Sequence, residues 1–416
     1  MLRSRRFLAT VSLAALLAAA AGLFVAWTQR SGGISKPDAP GIHAAFTQRS
    51  YAPGARVRLR ILHPRRRMTI RFFRVGLERR RALRNDVMAG TPVTAPRTLS
   101  GSEPLTRLGA WPSGLYFARL SGGGLVGYAP FVVRPRRLGE HRVLIVLPTN
   151  TWQAYNFRDL DGNGVGDTWY ASDSVHTVDL TRPFLDRGVP PHYRGYDQAF
   201  LEWLARTGRR ADFVSDDDFE RVGSGDELAR AYDLVAFPGH EEYVTAHAYD
   251  VAERYRDLGG NLAFLAANNF FYKVERHGDM LHGRTRWRDL GRPEVRLIGA
   301  QYVDWNHDKY ANRPYVVTST AATPWLFRGS GLRDGTAFGR YGIEIDARTG
   351  DSPPGTQVLA RIPNVFGRGK TAEMTYYETP RGARVFAAGA MNFGGSAHNP
   401  VVARLLANLW ARLARP

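Results

Sequence analysis

The chain has 416 residues, 44% of them hydrophobic and 12% aromatic, which is enough apolar material for two or three packed cores and excludes disorder. It contains no cysteine, so disulfides, thiolate metal sites, iron–sulfur clusters and a cysteine nucleophile are excluded. The net charge of +19 is almost wholly arginine, yet only Arg65-Arg66-Arg67 and Arg79-Arg80-Arg81 form runs, and no helix-turn-helix or zinc-finger spacing accompanies them, so nucleic acid is not an expected partner.

Arg3, Arg5 and Arg6 precede an uncharged run of 21 residues, Phe7 to Trp27, rich in Ala, Leu and Val. Such a run can span a bilayer core, and the basic flank holds the N-terminus in the cytoplasm. Residues 1–30 are therefore expected to be a signal peptide or a membrane-anchoring hydrophobic helix, with the remainder extracytoplasmic. Residues 31–40 carry Gly, Pro and Ser and read as a linker.

Residues 41–136 read as all-β. The segments Arg56 to Leu62 and Met68 to Val75 alternate apolar residues with arginine, the period of half-buried strands, and turn signals at Pro53-Gly54, Pro112-Ser113-Gly114 and Gly122-Gly123-Gly124 separate further short runs. A small immunoglobulin-like sandwich is expected. From residue 137 to the end, strands and helices alternate. His141 to Leu147, Ala211 to Ser215, Asp233 to Phe237 and Asn261 to Ala267 are apolar runs, with helical spacing at Tyr196 to Thr207, Asp226 to Tyr232 and Ala246 to Leu258. That rhythm predicts an α/β domain, a parallel sheet flanked by helices. Residues 280–390 are more polar and irregular, with a late strand near Ala383 to Gly389 and a final helix from Asn399 to Leu413.

Ligands of open α/β sheets bind at the carboxyl ends of the strands. Three of those ends carry polar residues. The first strand leads into Thr151-Trp-Gln-Ala-Tyr-Asn156, the third into His240-Glu241-Glu242-Tyr243, and the fourth into Asn268-Asn269. Tyr155, Glu242 and Asn268 are expected to converge there. Asp159, Asp161, Asn163 and Asp167 space oxygen donors like the start of a calcium loop, but Tyr170 stands where the closing Glu belongs. An Asx-stabilised turn is the plainer reading of that stretch. No Gly-x-Ser-x-Gly elbow, His-Glu-x-x-His or phosphate loop is present, which leaves serine hydrolase, zincin and NTPase readings unsupported.

From about Arg142 to Asn392 the chain resembles the C-terminal domain of the large (beta) subunit of N,N-dimethylformamidase. The resemblance runs through Thr151 to Asn156, Tyr170-Ala-Ser, Arg182-Pro183, Gly239 to Tyr243, Asn268 to Tyr272 and Glu373 to Pro380. It implies a class I glutamine-amidotransferase-like, flavodoxin-like sheet without the cysteine nucleophile of that group. It further implies one ferric ion, Fe(III), held by Tyr155, Tyr170 and Glu242, with His240, Asn268 and Glu378 as catalytic neighbours. The implied reaction is hydrolysis of a small-molecule amide at its C–N bond by water activated on the iron. Glu241, beside Glu242, leaves open which carboxylate binds. The family works with a small subunit, and a homo-oligomer is left open. A non-catalytic cell-envelope binding protein on the same fold is the alternative.

Overall fold

The computed structural model describes residues 33–414, apart from 100, 103 and 310. The run over 7–27, expected as a hydrophobic helix, lies outside the described residues. Among the described residues no helix is long and apolar enough to cross a membrane.

The N-terminal part is two sheets sharing a core. One joins His43–Phe46, Arg56–Leu62 and Leu105–Arg107; the other joins Ser50–Tyr51, Leu125–Val133, Gly114–Gly122, Met68–Arg74 and Thr91–Pro92, with Arg97–Leu99 paired to the Met68 strand. Alternation sets the faces. Val57, Leu59 and Ile61 from the first sheet pack with Met68, Ile70, Phe72 and Phe131 of the second, while Arg56 and Arg58 point to solvent. The other face of the second sheet is also buried. Leu115, Phe117 and Val132 belong to one cluster with Phe200, Leu204 and Phe213 of the following region. Polar contacts pin the same seam, with Ser50 Oγ donating to Asp218 Oδ1 at 2.6 Å and Ser113 Oγ accepting from Phe213 N at 2.8 Å.

The second part is built on a nine-stranded sheet. Asp212–Ser215, Val143–Leu147, Leu234–Phe237, Asn261–Phe264 and Arg384–Ala387 lie side by side and parallel. Ala372–Glu378, Gln357–Ile362, Arg313–Val317 and Ala337–Tyr341 then continue the sheet antiparallel. The helices Gln198–Arg206 and Pro400–Leu413 cover one face, and Gly225–Ala231 and Ala246–Asp257 the other. This corrects the expected fold class. The sheet is mixed, not parallel throughout, and much of the chain read as irregular is strand. Two further sheets complete the picture. Thr177–Asp179, Met280–Arg286, Tyr272–His277 and Tyr243–Val244 form one, and Gln301–Trp305 with Glu344–Ala347 forms a ribbon. Both follow from the carboxyl ends of the parallel strands. Tyr243 comes directly after the Leu234–Phe237 tip, and Ile345 bridges Ala390 beyond Ala387.

Candidate active site at the carboxyl edge

The strand Leu234–Phe237 stops at Pro238-Gly239 and releases His240, Glu241 and Glu242, all buried. Gly239 is required there, because a Cβ would sit 2.1 Å from Asp197 Oδ1. Backbone amides then fix the turn: Glu241 N donates to Asn269 Oδ1 at 2.9 Å and Glu242 N to Thr151 Oγ1 at 3.0 Å. Successive residues of extended chain point to opposite sides. Glu241 accordingly faces Asp216, whereas Glu242 faces the tyrosines, which separates the two carboxylates the sequence left undecided.

Tyr155 closes the helix Thr149–Ala154, and Tyr170 arrives from the turn beyond the Gly-rich loop. Their rings stack with centroids 4.4 Å apart. Tyr170 Oη donates toward both Glu242 oxygens at 3.3 Å and lies 2.5 Å from Tyr243 Oη. The Tyr155 phenol is near enough to Glu242 to favour the charged form of that carboxyl, against the effect of burial. Arg182 holds these segments in place. Its buried guanidinium donates to the carbonyls of Gln153, Asn156, Arg158, Asp167 and Asp179, spanning both tyrosine-bearing stretches.

Around them stand His240 and Asn268. His240 Nε2 is 3.4 Å from Glu242 Oε2, and the Asn268 side chain lies beside Glu242 and Glu344, favouring their charged forms, while its amide N–H is fixed by Asp346 at 2.8 Å. Asn268 takes a left-handed φ of 56°, a conformation Asn tolerates better than most residues.

Glu378 does not belong to this group. It ends its strand opposite Arg384, at the start of the parallel strand Arg384–Ala387 and thus at the far edge of the sheet. There it is 46% exposed, bonded to Tyr376 and 3.6 Å from both Arg384 and Arg412. The second buried carboxylate beside His240 is Glu344, whose Oε2 lies 3.7 Å from His240 Nε2. Glu344 begins the ribbon strand Glu344–Ala347, directly after Ile343 at φ 67°, a strained value for a β-branched residue. A period-2 signal for it exists in the sequence, since Glu344 and Asp346 alternate with Ile343 and Ile345.

Electrostatically the site is short of positive charge. Burial pushes Glu242 up to about 7, and burial with the nearby Glu242 charge pushes Glu344 up to about 8. Burial first, then Glu242, holds the Tyr155 and Tyr170 phenols well above their ordinary value. Burial lowers His240 to about 3, so its ring is neutral. His240 Nε2, Glu344 Oε2 and Asn268 Oδ1 are buried without a hydrogen-bond partner. Hard oxygen donors crowded around orphaned polar atoms are the surroundings a small, highly charged cation requires, and such a cation reverses the penalty on phenolate.

The Asp159 loop is separate. The carboxylates of Asp159, Asp161 and Asp167 have oxygens within 4.8 Å of one another at the surface. Those oxygens accept from the loop's own amides, Gly162 and Gly164 to Asp159 and Asn163 to Asp161, the pattern of Asx turns. Asn163 Oδ1 accepts from Val165 N at 2.8 Å.

A model of the N,N-dimethylformamidase beta subunit-like C-terminal family matches residues 104–403. The N,N-dimethylformamidase beta subunits of an Alcaligenes species and of Paracoccus aminophilus are each 27% identical to this chain over 164 residues, covering 38% of it. That matched stretch is 19% of the length of either relative.

Proposed function

The chain belongs to the N,N-dimethylformamidase beta subunit-like family, and from that premise we propose that it is an amidohydrolase working through a single ferric ion held by Tyr155, Tyr170 and Glu242. The observation that carries the proposal is the meeting of two stacked phenols with one buried carboxylate, Tyr170 Oη being 3.3 Å from both oxygens of Glu242. When bound, the ion supplies Lewis-acid polarisation of the amide carbonyl and a lowered pKa for water.

The chain's own groups do the rest. Glu344, pushed up to about 8, is matched to proton transfer near neutral pH, whereas His240 at about 3 is too weak a base for that task. Glu344 takes a proton from the attacking water as the new C–O bond forms. It returns that proton to the departing nitrogen as the C–N bond breaks, leaving a carboxylic acid and an amine. Neutral His240 stands between Glu242 and Glu344, its Nε2 3.4 Å and 3.7 Å from their nearer oxygens, and leaves that nitrogen free for the substrate. Asn268 spans the same two and presents its unpartnered Oδ1 to the substrate N–H. Burial of the cluster keeps bulk water out and strengthens each of these interactions.

The test is elemental analysis together with visible absorption, since ferric phenolate is coloured. About one iron per chain, a visible band, and hydrolysis of a panel of simple amides are expected. Colourless, iron-free protein that binds amides without cleaving them would instead favour a binding protein on this fold.

A further inference from the structure

At the opposite edge of the sheet, where Val143–Leu147 and Asp212–Ser215 begin, the sandwich and the helix Gln198–Arg206 enclose a cavity of about 360 Å3. That volume is within the range of small-molecule pockets, and a seam between two packed parts is where such pockets form. Its floor is apolar: Val75 and Leu115 from the sandwich face Leu201, Leu204 and Phe213. Its rim is basic, with Arg74 on one side and Arg209, Arg210 and His141 on the other, and no carboxylate lines it.

Some arginines of the protein are paired, as in Arg142 with Asp233, Arg254 with Asp226 and Arg361 with Glu373. Among the described residues, Arg74, Arg209 and Arg210 have no carboxylate within ion-pair distance. Arg74 reaches only the Ser113 carbonyl, at 3.2 Å, besides the Tyr116 ring. Arg209 lies over the Trp203 ring at 4.8 Å, and its Nε is buried without a hydrogen-bond partner. A buried guanidinium N–H without an acceptor is costly, and an anion entering the pocket would remove that cost.

We propose that this pocket binds a free amphipathic organic acid, its apolar body on the Leu115–Leu204–Phe213 floor and its carboxylate among Arg74, Arg209 and Arg210. The arrangement matches both halves of such a ligand: guanidinium groups bind carboxylate through parallel N–H donors, and the floor removes the body from water. The pocket and the tyrosine cluster lie at opposite ends of the same strands, so the two sites are separate.

Isothermal titration of the purified full chain with octanoate, and with octanol as the neutral control, tests this. Octanoate should saturate at one site per chain and bind at least tenfold more tightly than octanol. Arg209→Gln should weaken octanoate about tenfold. Arg210→Glu, at an exposed position that leaves folding alone, should weaken it by at least as much. Absence of saturation, equal affinity for octanol, or unchanged binding in both variants would overturn the proposal.

Discussion

The two edges of the nine-stranded sheet are opposites in charge. The carboxyl edge gathers Glu242, Glu344 and Asp346 in burial with neutral His240, and burial pushes Asp346, like Glu344, up to about 8. The amino edge gathers Arg74, Arg209 and Arg210 around an apolar floor that no acid lines. The acids at one rim are buried and the bases at the other border an apolar pocket, settings in which an unmatched charge is costly.

The sharpest break of that comparison is Tyr155→Phe, which removes a hard donor from the acid rim. It should lose its iron and its turnover completely, read by metal analysis and loss of the visible band, while the secondary structure by circular dichroism is unchanged. Glu344→Gln comes next. It should keep the iron and the colour but lower kcat by about 10²–10⁴-fold, the usual worth of a general acid–base.

A smaller effect concerns Asp197, buried beneath Gly239 with one oxygen unpartnered and the other accepting from Trp152 Nε1. Burial raises its carboxyl from 3.8 to about 7. The unfolded chain gives up this proton near 3.8 and the folded chain only near 7, so raising the pH through that window favours unfolding, by up to about 1.4 kcal/mol per unit. Asp197→Asn, which keeps the bond to Trp152, should therefore melt several degrees higher than the parent at pH 8 and show no advantage at pH 4. The smallest effect is expected at Glu378→Gln, within twofold in kcat/KM, because that side chain lies 46% exposed between Arg384 and Arg412 and far from the tyrosines. A large loss there would return catalysis to the wrong edge of the sheet.

Legibility in the sequence followed burial. The strands Val143–Leu147, Leu234–Phe237 and Asn261–Phe264 are buried along their whole length, so their apolar runs stand out and their tips could be read for Tyr155, His240, Glu242 and Asn268. The antiparallel half hid itself. Its strands carry Arg313, Arg361, Thr375 and Tyr376 in place of a clean alternation, and register shifts at Arg313/Tyr315 and Val358/Ala360 break the period. Glu344 lies on the separate ribbon strand Glu344–Ala347, within the stretch read as irregular, and Glu378 was named from the family likeness alone. Which edge a strand ends on depends on its direction, and direction is not written in a single strand's residues. Tyr170 is a different case. It sits outside regular structure, where periodicity says nothing, and only the family likeness pointed to it.

The Arg182 clamp has a mechanical consequence. Because one guanidinium grips the carbonyls on either side of Tyr155 together with that of Asp167, ahead of Tyr170, the two phenols move as a pair or not at all. The distance between them is thus set by a rigid planar group and is independent of the length or composition of the glycine-rich excursion from 159 to 167. That excursion is free to vary without shifting the pair of phenols it connects.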